Sequence, residues 1–209
     1  MAYHQRLNDI DAAVREMIML VEQDIPKAGA AFLDADGQAA DTVEANESIV
    51  EDFYERVEQL VIGLFARQGP VAGELRFLLT AFRILPELSG AHDWAAQLAR
   101  RGVTGLGAEL PERVRRLIGQ IFDAAADMWR QVGEVYLSGS ADIADDTEAD
   151  DDRLDELHAS LSAELAAADL RRPVLLDMGL VARLLERLGD SAVEVARQIE
   201  LLSPPRPEF

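Results

Sequence analysis

Apolar residues recur along most of this chain at steps of three and four. Leu7, Ile10, Val14, Met17, Ile18 and Val21 form one such series, and Val50, Phe53, Val57, Leu60, Val61 and Leu64 form another. That spacing lines up side chains on one face of an α-helix. No segment alternates convincingly as a strand. Breaker clusters interrupt the pattern at Asp34-Ala35-Asp36-Gly37, Gln68-Gly69-Pro70, Gly102 to Gly107, Ser138-Gly139-Ser140 and Arg171-Arg172-Pro173. The pattern therefore predicts helices over 3–33, 38–66, 71–101, 111–137, 141–167 and 174–202. Pro70, Pro111 and Pro173 fall at helix starts, where a missing N–H costs nothing. Pro26 and Pro86 fall inside helices and are expected to kink them.

The helices divide into two sets of three that resemble each other. A shift of 104 residues places Phe32-Leu33 on Tyr136-Leu137, Ala40-Asp41 on Ala144-Asp145, Glu44-Ala45 on Glu148-Ala149, Asn46 on Asp150 and Glu51 on Asp155. Counted from Pro70 and Pro173 the second copy is then shorter by six residues, so that Asp93 falls on Asp190. The expected fold is all-α: two tandem antiparallel three-helix bundles related by a pseudo-twofold. The first repeat is placed at 1–101, the second at 108–202, and 203–209 is read as a flexible tail. Neither Gly102 to Gly107 nor the tail is expected to form a folded element.

Composition narrows the function. At 209 residues and 49% apolar content the chain can build its own core. It shows no membrane-length apolar run and no secretory start behind Met1, and with no cysteine it has neither disulfides nor thiolate metal sites. A cytoplasmic location is the default expectation. The formal charge of −19, with Lys27 as the only lysine, repels phosphate backbones and argues against nucleic-acid binding. Excess acid favours cations or basic partners, although much of it serves solubility alone.

Within that acidity one pair stands out. Glu186 and Asp190 are four residues apart in a predicted helix, so their Cβ atoms lie about 5–6 Å from each other on one face, where like charges repel. A cation, a guanidinium such as Arg183 or Arg187, or solvent must compensate. On the residues alone a solvated acidic face is the simpler reading. Trp94 and Trp129 are expected in the interior, and Arg76 is expected to hold Glu74 or a neighbouring helix rather than an anion. His92 is expected at the surface, since it points about 100° away from Asp93 on its helix. Catalysis finds little support. His4, His92 and His158 do not supply the Glu-x-x-His pairs of a di-iron bundle, and there is neither a phosphate-binding loop nor a nucleophile elbow.

Glu186-Arg187-Leu188-Gly189-Asp190 and Pro70-Val71-Ala72-Gly73-Glu74-Leu75-Arg76, with Tyr3-His4 near the start, resemble the patterns of the PhoU proteins of bacterial phosphate regulation. The likeness spans essentially the whole chain, including the repeat. It departs in the first half, where Ser89, Gly90 and His92 replace an acidic residue, Arg and Gly ahead of Asp93. The resemblance implies metal bound through these carboxylates. Glu186 and Asp190 would be joined by Asp150 and Asp155 from the preceding helix, with Glu47, Glu51 and Asp93 as the first-half counterparts. Such an oxygen set suits Mg, Mn or ferric iron, and Zn remains open. The second-half site is expected to be the stronger, because Ser89 removes an anionic ligand from the first.

The same resemblance implies a non-enzymatic regulator, a homodimer that reaches the membrane only through partners. Those partners would be a sensor histidine kinase and the ATPase subunit of the phosphate ABC transporter. The competing readings are a metal-handling bundle of ferritin-like type and a helical adaptor for another transporter.

Overall fold

The computed structural model describes residues 2–67, 69–138 and 144–200; the expected tail at 203–209 lies outside them. The described residues form helices α1 (Ala2–Asp34), α2 (Gly37–Ala45), α3 (Glu47–Arg67), α4 (Ala72–Gly102), α5 (Glu112–Ser138), α6 (Ala144–Ala167) and α7 (Arg172–Glu200), with a short 3₁₀ turn at Leu106–Glu109. The all-α repeat is as the sequence implies: α1 to α4 make the first copy and α5 to α7 the second.

One expected helix is divided. The 38–66 segment breaks at Asn46, whose side-chain amide donates to Asp24 Oδ1 at 2.8 Å. The apolar period runs through the break, with Val43, Val50 and Val57 all buried, so the cause is tertiary. Asn46 itself keeps right-handed helical angles, φ −76° and ψ −14°, so the break interrupts the helix without turning the chain away. Upstream, Asp36 caps α2 by accepting from the backbone N–H groups of Gln38 and Ala39 at 3.0 and 3.1 Å. Pro26 and Pro86 both lie exposed within their helices, where an interior proline removes an intrahelical hydrogen bond.

The two copies share one apolar core, which runs from Leu7 in α1 to Ile199 in α7. Helices α1 and α4 of the first copy pack on α5 and α7 of the second. Within the second copy Trp129 of α5 is fully buried and donates its indole N–H to the Leu188 carbonyl of α7 at 2.9 Å. Fully burying side chains of this kind stabilises by about 1.5–3 kcal/mol each, so the halves are expected to unfold together. The glycine-rich join is folded as well, contrary to its composition. Gly105 takes φ +86°, and the turn at Leu106–Glu109 packs against the end of α1.

The Tyr3 hydroxyl donates to Glu74 Oε2 at 2.8 Å, tying the start of α1 to the start of α4. Glu74 also accepts from the Val71 N–H at 3.3 Å, so Tyr3 and the helix start engage it where Arg76 was expected to. Burial, then the hydrogen bond and charge of Glu74, push the Tyr3 phenol up from 10.0 to about 12. Because the folded value is the higher one, this contact contributes fully below pH 10 and is lost as pH rises towards 12. Tyr3→Phe should remove a phenol that ionises at about pH 12 from an ultraviolet titration. It should also leave a shallower alkaline loss of stability than the wild type shows.

Candidate metal centre

Helices α6 and α7 pack side by side, which brings the expected carboxylates of the second copy to one locality. Burial raises the Asp190 carboxyl above its ordinary range; Glu186 and Asp155 raise it further, while Arg187 and His158 pull it back. The Asp151 carboxyl is likewise raised by burial, then by Asp155 and Asp190, against Arg197. Asp155, Glu186 and Asp190 thus lie within electrostatic reach of one another, and Asp151 lies within reach of Asp155 and Asp190. Asp150 accepts from Gln131 Nε2 at 2.6 Å and is committed to the α5–α6 contact. The repeat held the signal: the shift of 104 that carries Glu51 to Asp155 carries Glu47 to Asp151.

A nitrogen ligand also comes into view. The ring of His158 on α6 is influenced by Glu186, Asp155 and Asp190, and its Nε2 is buried with no hydrogen-bond partner. Burial holds its pKa below the ordinary value despite those carboxylates, which keeps the ring neutral and its lone pair available. His158 lies three residues after Asp155, on the same helix face. Among the described residues, no group of three or more such side chains is drawn into a metal-holding arrangement as the chain stands. The donor chemistry nonetheless fits a cation, since raised carboxyls that repel one another and an unpaired imidazole nitrogen would all gain from one.

The first copy is built differently. Asp93 is raised by burial and by Glu47, and lowered by His92 and Arg100. Glu47 in turn lies 3.8 Å from the Arg100 guanidinium. An arginine already answers the charge there, and Glu51 is exposed on α3. Gly90, where the likeness led to expect an arginine, lies under the ring of Trp94. On the ring, the guanidinium of Arg187 stacks at 4.7 Å from its centre. Arg187 is therefore shared between Trp94 and Asp190.

His92 corrects the sequence reading outright. It is 1% exposed, and its Nδ1 lies 3.1 Å from Oδ2 of the fully buried Asp24. Asp24 also takes the Asn46 amide and, at 3.4 Å, the Lys27 ammonium. The period already placed His92 inside, four residues after Leu88 and three before Ala95, both buried. Its polar identity and the neighbouring Asp93 outweighed that pattern. Asp24, in the middle of α1, carried no sequence signal.

The family model described as "PhoU domain" matches residues 14–101 and 118–199. Over 203 residues the chain is 30% identical to "Phosphate-specific transport system accessory protein PhoU homolog 2" of Mycobacterium tuberculosis, covering 95% of this chain and 94% of that protein. It is 25% identical over 202 residues to the PhoU homolog of Rhizobium meliloti, covering 95% and 85%. Among solved structures, PhoU from Pseudomonas aeruginosa superposes with a TM-score of 0.87 at 22% identity, over 96% of this chain and 98% of that one. PhoU from Streptococcus pneumoniae does so with 0.81 at 17%, over 99% and 100%. These two share the fold.

Proposed function

Because the chain belongs to the PhoU family, we propose that it regulates phosphate uptake and signalling, restraining the phosphate-starvation response when phosphate is plentiful. It does so as a binding protein, a homodimer that engages a sensor histidine kinase and the ATPase subunit of the phosphate ABC transporter. The observation that carries this reading is the match of both repeats, with 30% identity over 95% of the chain to a mycobacterial phosphate-transport accessory protein. Among the described residues no helix is long and apolar enough to cross a membrane, which suits a protein that meets the membrane through partners. Binding of the purified protein to the cytoplasmic part of the kinase and to the ATPase, each measured separately, tests it. Saturable binding to either supports the reading, and absence of both overturns it.

Metal belongs to the same reading. Asp151, Asp155, Glu186 and Asp190, with His158, would hold an Fe or Mn ion between α6 and α7, where its charge would offset their repulsion and fix the two helices to each other. The mixed oxygen and nitrogen donors favour these metals, or Zn, over Mg. Asp190→Asn separates a ligand from a structural carboxylate. In metal-free protein it relieves repulsion from Glu186 and Asp155 and should raise stability by a few tenths of a kcal/mol. With Mn²⁺ at 100 times its Kd, the wild type should gain about 2.7 kcal/mol, and Asp190→Asn should lose most of that gain. Equal gains in thermal unfolding would remove Asp190 from the site.

A further inference from the structure

A groove of about 640 Å³ runs between α1 and α5, across the seam of the two copies and away from the carboxylates of α6 and α7. Its α1 wall is Ala12, Arg15, Glu16, Met19 and Glu22, and its α5 wall includes Arg130, Gly133, Glu134 and Leu137. Both series advance by three and four residues, so each is one continuous helix face. The α1 wall is about 15 Å long at 1.5 Å per residue, the length of a partner helix of about three turns. Two large apolar side chains stand open in it: Met19 is 45% exposed and Leu137 is 62% exposed. Gly133 leaves the floor low between them, because a Cβ there would meet only ordinary contacts, at 3.6 Å from Glu22 Oε2 and 3.7 Å from Ile18.

Charge selects the occupant. Both guanidiniums at the rim are already neutralised by their own helices. Arg15 bonds Asp11 at 2.7 Å, and Arg130 bonds Asp127 at 3.2 Å and Glu134 at 3.1 Å. Glu16 and Glu22 have no ion-pair partner among the described residues, so the groove presents uncompensated negative charge over an apolar floor. Groove against groove, a second copy would bring the same Glu16 and Glu22 against these and be repelled. We propose that the α1–α5 groove docks a basic amphipathic helix of another protein, with apolar side chains seated on Met19, Gly133 and Leu137 and cations over Glu16 and Glu22. The inference stands on the groove itself and does not depend on which phosphate-system partner is bound.

The probe is a fluorescent Leu/Lys peptide of helical period, about four turns long, titrated against the full chain at near-physiological salt. A Leu/Glu peptide of the same period serves as its control. The basic peptide should bind saturably and the acidic one should not. Gly133→Leu fills the groove without changing charge and replaces a helical glycine by a better helix former, so its fold is secure. It should weaken binding at least about tenfold, as should Glu16→Lys with Glu22→Lys. Leu176→Glu, on the exposed face of α7, should leave binding unchanged. Equal binding by wild type and Gly133→Leu would overturn the proposal. So would absent binding, or a Gly133→Leu protein that sediments as a monomer where the wild type is a dimer, since the occupant would then be a second copy.

Discussion

His92→Gly should destabilise the protein by about 3–5 kcal/mol, combining the cavity left by a buried imidazole with the loss of a hydrogen-bond partner of the buried Asp24. Adding Asp24→Met and Val50→Leu should recover most of that loss. The repeat supplies the reasoning. The shifts that align the two copies place Asp24 on Met128, Val50 on Leu154 and His92 on Gly189. In the second copy a Cβ at Gly189 would overlap the Leu154 side chain and would lie 4.0 Å from Met128 Sδ. Leucine and methionine therefore fill the space that a side chain at 189 would need. In the first copy the smaller, buried Val50 leaves room for an imidazole, and Asp24 meets its Nδ1. The same volume is filled in one copy by apolar packing and in the other by a hydrogen-bonded pair. His92→Gly alone opens a cavity and strips Asp24 of a partner; the triple variant rebuilds the packing of the second copy. It keeps a deficit of about 1 kcal/mol from glycine within a helix, and the Asn46 amide and Lys27, which lose Asp24 as their acceptor, add up to about 1 kcal/mol more. Thermal unfolding should show the single variant lower by about 6–20 °C, at 2–4 °C per kcal/mol. A triple variant no more stable than the single one would show that the copies are not interchangeable in their cores.

Helix existence and order followed from apolar spacing, because each long helix buries one continuous stripe. The divided helix did not follow, since Asn46 breaks it through a bond to a residue 22 positions earlier while the stripe continues unbroken. The second-copy carboxylates were legible because Glu186 and Asp190 are local to one helix. Their α6 partners depend on which side of that helix faces α7, and one residue along it separates Asp150, which accepts from Gln131, from Asp151, whose carboxyl feels the charge of Asp190. His92 and Asp24 lay beyond local reading. Each is a polar residue at a core position, and only the other makes it tenable.

The glycine-rich join was legible only in part: its breakers showed where the helices stop, while the close packing it permits depends on contacts distant in sequence. Gly102→Ala should lower stability by about 2–3 kcal/mol, within the range for overpacking, although alanine is the better helix former by about 1 kcal/mol. At Gly102 a Cβ would overlap the Ala31 carbonyl and the Phe32 Cα, and at Gly107 it would overlap the Phe32 carbonyl oxygen. All of these are backbone atoms of α1, so no rotamer change relieves the clash and α1 must separate from the join. Arg115 adds to the cost, since it bonds the Gly107 carbonyl at 2.8 Å and lies 3.5 Å from Asp34. Those contacts tie the end of α1 to the start of α5. Gly179→Ala provides the contrast. A Cβ there meets nothing within 4 Å, so chemical denaturation should show it unchanged or up to about 1 kcal/mol more stable. If Gly102→Ala proved as stable as the wild type, the α1–α4 approach would be looser than the structure shows. If it loses stability as expected, the strain falls on the helices that carry Asp24 and His92. The first copy should then loosen while the α6–α7 carboxylates keep their arrangement, so metal binding in the second copy should survive Gly102→Ala at temperatures where the protein remains folded.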